Sequence, residues 1–177
     1  MKNFKFLLLL LFPVLSGFSQ NLSGVWIGTL SNDSLTVRKD QTFEIALTEY
    51  RGKVYGYVYS TFIVNDSLFY IIKKVKGDVK GNISEVKDDE VITHNFKKKP
   101  EKGVHVQYTF RHNQQENKWM IDGNWKTNAT KDFYSVSGEV KAEGEKDLSR
   151  SRLYQHLGDL NLQHTLVSDK TTDQKQE

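Results

Sequence analysis

The stretch Leu22–Leu30 reads LSGVWIGTL, and its core pattern, apolar-x-Gly-x-apolar, returns four times downstream. The copies are Val54-Tyr55-Gly56-Tyr57-Val58, Val79-Lys80-Gly81-Asn82-Ile83, Ile121-Asp122-Gly123-Asn124-Trp125 and Val136-Ser137-Gly138-Glu139-Val140. In a β-strand, positions i, i+2 and i+4 share a face. Each Gly is therefore expected mid-strand, on one face with two apolar side chains. A mid-strand Gly costs roughly 0.5–1 kcal/mol relative to Ala, so the recurrence calls for a cause. Sharp coiling at a barrel corner supplies one, as do close approach of a neighbouring chain and a crowded core that admits only small residues.

The surrounding sequence supports strands throughout. Phe43, Ile45 and Leu47 alternate with polar or small residues, as do Val104 to Phe110 and Trp119 to Trp125. A period of two marks half-buried antiparallel strands. Turn residues separate these runs, among them Arg51-Gly52, Asn65-Asp66-Ser67 and Lys87-Asp88-Asp89. We read strands near 22–30, 34–38, 41–50, 53–64, 67–76, 78–86, 90–97, 103–113, 117–127 and 132–142. Short links and many even strands argue for a sandwich or barrel. The repeated Gly favours an all-β antiparallel up-and-down barrel of about 8–10 strands, which also removes sheet edges.

The ends differ from this body. Met1 to Lys5 is basic, Phe6 to Leu15 is apolar, and Ser16, Gly17 and Ser19 are small. That order is a signal peptide, with cleavage expected after Ser19. Its apolar run is half the ~20 residues a membrane-spanning helix needs. Removing 19 of 177 residues leaves 158 and takes the formal charge from +3 to +1. A near-neutral chain gives no footprint for nucleic acid. This length makes one domain, 20–167, able to bury a core without disulfides. Cys is absent. The expected context is therefore bacterial export, to the periplasm, outer surface or medium, with no transmembrane segment in the mature chain, no disulfide scaffold and no Cys-linked lipid anchor. Asp147 is expected to cap a short helix over 148–158 with Leu148, Leu153 and Leu157 toward the barrel, ended by Gly158. Leu160 to Leu166 alternates as a final strand, and Ser168–Glu177 reads as a polar disordered tail.

Gly24-Val25-Trp26, at the head of the first strand and soon after a signal peptide, resembles the G-x-W motif of the lipocalins and the wider calycin group. The resemblance implies a barrel with Trp26 closing one end. It also implies a late Arg across the indole, a part open to Arg150 or Arg152. Thr130-Lys131-Asp132-Phe133-Tyr134 resembles that family's T-D-Y element.

The sequence holds no G-x-S-x-G, H-E-x-x-H or phosphate loop, so no enzyme activity, cofactor or metal site is expected. His94 and His105 approach each other across a hairpin and read as solvated. Tyr55, Tyr57 and Tyr59 share one strand face, and Val54, Val58 and Phe62 the other. A lumen lined by Trp26, Tyr57, Tyr108, Phe110, Trp119 and Trp125, with Arg111 or Lys126 near an acidic headgroup, is the expected ligand site. The alternative is a barrel filled by its own side chains, serving as an envelope interaction module, where exterior Tyr suits a protein partner. Lys73-Lys74-Val75-Lys76 and Lys97-Lys98-Lys99 read as solvated strand ends, with acidic lipid or polysaccharide as another use. Asp33-Ser34-Leu35 and Asp66-Ser67-Leu68 resemble a bacterial O-glycosylation motif, and Asn21, Asn65, Asn82 and Asn128 begin N-glycan sequons.

Overall fold

The computed structural model describes residues 22–33, 41–64, 66–100 and 103–166. The leader, the predicted strand at 34–38 and the C-terminal tail lie outside the described residues. The chain forms eight strands: β1 Gly24–Leu30, β2 Gln41–Tyr50, β3 Lys53–Val64, β4 Ser67–Lys80, β5 Ile83–His94, β6 Val106–Gln115, β7 Lys118–Thr127 and β8 Ser137–Glu145. Each pairs antiparallel with the next, and β1 also pairs with β8, closing an up-and-down barrel. This is the expected fold class, consistent with a calycin-like barrel.

The central glycines are sites of close approach. A Cβ on Gly56, Gly123 or Gly138 would collide with the backbone carbonyl of Ala46, Thr109 or Ser31 respectively. Gly28 and Gly77 are held the same way, against Lys141 and Glu85, without belonging to the repeated pattern. Two members of the pattern have another cause. Gly24 opens β1, and Gly81 makes the β4–β5 turn at φ +62° with open space around it. That turn also merges three expected strands into two. Lys87-Asp88-Asp89 is no turn but lies inside β5, where the β4–β5 register shifts opposite Ile72/Lys73 and Lys74/Val75.

Alternation sorts side chains between two cores. Phe43, Ile45, Leu47, Val58, Val75, Val86, Phe110 and Ile121 point inward and are buried. The second core lies outside the barrel wall, where Val25, Ala46, Tyr57, Tyr59 and Ile72 meet Leu153 and Leu157 of helix α1, Arg152–Asp159. The expected helix therefore exists, but it is capped by Ser151, and Asp147 caps a separate 3-10 turn at Leu148–Arg150. Leu148 is exposed, and the helix runs past Gly158 to a cap at Leu160. The expected final strand is instead a 3-10 turn at Gln163–Leu166. Glu44 anchors this outer cover. Its buried carboxylate accepts from Ser151 Oγ at 2.6 Å and from the Leu153 backbone N–H at 2.9 Å. The helix N-terminus favours such an anion.

Gly123→Ala should destabilise the barrel by about 1–3 kcal/mol, because the added methyl meets backbone that cannot swing aside. Gly81→Ala meets only conformational strain and should cost about 1 kcal/mol. Urea unfolding of the two variants checks the order.

Candidate functional site

The two ends of the barrel differ. The end formed by the β2–β3, β4–β5 and β6–β7 hairpins is closed. Leu22, fully buried, crosses it and is tied by its N–H to Glu49 at 2.9 Å. Trp26 lies beneath, 5 % exposed, its indole N–H donating to the Leu22 carbonyl at 3.1 Å. Trp26 thus occupies the plugging place that the G-x-W resemblance implies. The late Arg does not follow: Arg150 pairs with Glu145 at 2.8 Å. Among the described residues the one cation–π contact is Arg51 over Tyr50. His112 also points inward, 2 % exposed, with neither ring nitrogen hydrogen-bonded. Burial holds its pKa below the ordinary 6.5, against the opposing pull of Glu49.

The opposite end carries, among the described residues, an open mouth. A cavity of about 550 Å³ occupies it, lined by Phe62, Ile71, Phe96, Pro100, Val104, Val106, Trp125, Phe133 and Val136. Asn32, Lys73, Val91, Lys98 and Thr127 complete the lining, so its charged side chains are both cationic. Trp125 frames the cup by donating its indole N–H to the Ser31 carbonyl at 2.7 Å. Phe96 is held against Phe62 and Phe69, with ring centroids 6.0 and 5.4 Å away.

The wall beside the cup is split. The β5–β6 ladder runs only from Ile83↔Arg111 to Lys87↔Gln107, while β5 continues along β4 to His94. A second cavity of about 350 Å³ opens in the gap, lined by residues that include Asp88, His94, Val104, His105 and Lys73. Lys73 therefore faces both spaces. Its Nζ lies 2.5 Å from Asp88, with side chains 12 % and 4 % exposed. The other Asp88 oxygen lies 3.1 Å from His105 Nδ1. Burial, with the Asp88 charge, raises the Tyr108 pKa far above the usual phenol range, against the opposing effect of Ser60.

Of the expected ligand residues, Trp125 alone lines the open cup. Tyr108 and Phe110 lie below it in a packed midsection, with Phe43 ring centroids 5.6 and 6.3 Å away. Trp26 and Trp119 come together at the closed end, where Trp119 is 39 % exposed and borders a groove with Lys118, Glu143 and Glu145. Tyr57 corrects the expected lumen. It faces outward under the C-terminal cover, its hydroxyl 3.0 Å from Thr165 Oγ1. Arg111 and Lys126 are exposed on the outer face, because alternation puts them opposite Phe110 and Trp125. Lys73 is a correction too: it is an inward, ion-paired residue, not a solvated strand end. One sequence signal could have found it, since Phe69, Ile71, Lys73 and Val75 share a period-two face. Phe96 and Phe133 carry no such signal because they lie in loops.

Among the described residues no group of three or more His, Asp or Glu side chains is placed to hold a metal. Comparison with protein-family models and with curated proteins finds no match.

Lys73→Met should cost about 3–5 kcal/mol by leaving Asp88 buried without its cation, and adding Asp88→Leu should recover most of that loss. Denaturant titration of the single and double variants checks it. His112 gives a pH dependence. The unfolded chain takes up this proton near 6.5, while the folded barrel resists it. Stability should therefore fall as pH drops below 6.5. In His112→Leu, the Tm decrease between about pH 7 and 5 should be smaller than in the wild type.

Proposed function

We propose that this protein is an exported, non-enzymatic, lipocalin-like barrel that receives a small apolar or amphipathic ligand in its open mouth. The observation carrying this reading is the cup of about 550 Å³ with its apolar walls. Small-ligand sites are typically concave, mostly apolar and equipped with few polar groups. The volume lies within the usual range of ~300–1,000 Å³. Lys73 and Lys98 are the charged groups of the lining and suit an acidic head on an apolar body. The leader-like N-terminus supports export, and the lack of Cys accords with a bacterial envelope.

The packed midsection favours a second reading. Phe43, Tyr108 and Phe110 fill the centre of the lumen, so a ligand can enter only the upper part. A barrel filled in this way could serve chiefly as an envelope module that binds a protein partner through its exterior.

Displacement of 1-anilinonaphthalene-8-sulfonate by a series of fatty acids and matched alcohols separates the readings. The carrier reading expects displacement at micromolar ligand, weakened at least tenfold by Val104→Trp, which fills the cup. Absence of displacement across the series, or equal displacement from Val104→Trp, would reject it and leave the interaction module.

A further inference from the structure

The β3–β4 hairpin and the loop after β5 are fastened into a single platform. Tyr70 N–H donates to Asn95 Oδ1 at 2.6 Å, Asn95 Nδ2 donates to the Leu68 carbonyl at 3.2 Å, and Asn95 N–H donates to the Tyr70 carbonyl at 3.3 Å. Phe96 packs beneath, against Phe62 and Phe69. These contacts hold Lys97, Lys98 and Lys99 beside the hairpin tip.

On that tip Ile63 and Leu68 are partners across the hairpin and so lie side by side. They are 37 % and 57 % exposed. The three lysines are exposed, and among the described residues none of them has an ion-pair partner. Lys53 and Lys118, at the closed end, are paired with Asp78 and Glu143. The hairpin turn carries one exposed carboxylate, Asp66.

An exposed apolar pair beside three exposed lysines matches the chemistry of a bilayer surface. Apolar side chains enter the headgroup boundary, and lysines meet anionic headgroups. We propose that this platform docks the protein on an anionic lipid membrane, with Ile63 and Leu68 entering the headgroup layer and Lys97–Lys99 facing lipid phosphates. Nucleic acid would use the cations but would leave the apolar pair in water. A protein partner is the competing occupant, and the test below separates it. Phe62, Phe96 and Lys98 belong both to the platform and to the cup. Docking would therefore set the edge of the cup against the membrane. The surface does not depend on the cup being filled, so solution displacement and vesicle binding can fail separately.

The test is co-sedimentation with vesicles. The full chain is recovered as the exporting cell processes it, and all variants share that N-terminus. Vesicles are phosphatidylcholine alone, or a 3:1 mixture with phosphatidylglycerol. The expected result is at least tenfold tighter partition onto the anionic vesicles, abolished by high salt. Each lysine near such a surface contributes about fivefold. K97Q/K98Q/K99Q should therefore lower partition at least tenfold, and Leu68→Ser severalfold. K53Q/K118Q/K146Q removes the same charge from the closed end and should stay within twofold of wild type. Circular dichroism melts establish that each variant is folded. Equal partition onto both vesicle types, or equal loss in the two triple variants, would overturn the proposal. The first result would turn the platform toward a protein partner, and the second would reduce the effect to net charge.

Discussion

Closure of β1 against β8 is the constraint on which the remaining structure depends. Eight strands can meet only if each coils strongly, and strong coiling brings backbone over backbone. Gly28, Gly56, Gly77, Gly123 and Gly138 stand where a neighbouring carbonyl occupies the place of a Cβ. The loss of local propensity at these glycines is offset by a sheet with no free edge. Closure also makes the inside and outside of the wall permanent. Each strand presents an inward set, and a one-residue slip would turn it outward; β5 changes parity where the register shifts, with Val86 inward before the shifts and Val91 lining the cup after them while Ile92 packs outside.

That parity has two consequences. The inward set is large enough to fill the middle of the barrel, and Phe43, Tyr108 and Phe110 meet there. The apolar cup lies at the end where the β5–β6 ladder stops early. The same interruption leaves Asp88 without a β6 neighbour and lets Lys73 and His105 converge on it. The outward set on β1 to β4 is too apolar to face water, and the chain covers it with its own C-terminal segment. Glu44 makes this possible. Its carboxylate would be costly when buried alone, but it satisfies orphan N–H groups at the start of α1.

The functional reading follows from the contrast between the ends. One end is strapped by Leu22 and Glu49 and plugged by Trp26. At the other, aromatic and aliphatic side chains from strands and loops surround a cavity, with lysines at its edge. This contrast is what supports the proposed reading as a carrier of amphipathic molecules.

The strand period, the turn residues and the repeated glycines pointed to an all-β barrel, and the G-x-W resemblance implied Trp26 at one end of it. They act locally: alternation and a glycine in mid-strand are both properties of consecutive residues. They also determined that Tyr57 and Val58 face opposite ways. Which of those faces was the lumen depended on the whole wall, and the outward Tyr57 lies under residues more than a hundred positions later. The cup was legible only at Trp125. Its other walls combine strand residues such as Phe62, Ile71 and Val106 with the loop residues Phe96 and Phe133, and the positions of the latter are set by contacts distant in sequence and by no period. Lys73 shows the boundary best. Its strand face was readable, but its charge suggested solvent. Only the tertiary structure supplied Asp88 across the β4–β5 register shift, and with it the partner that makes a buried lysine stable.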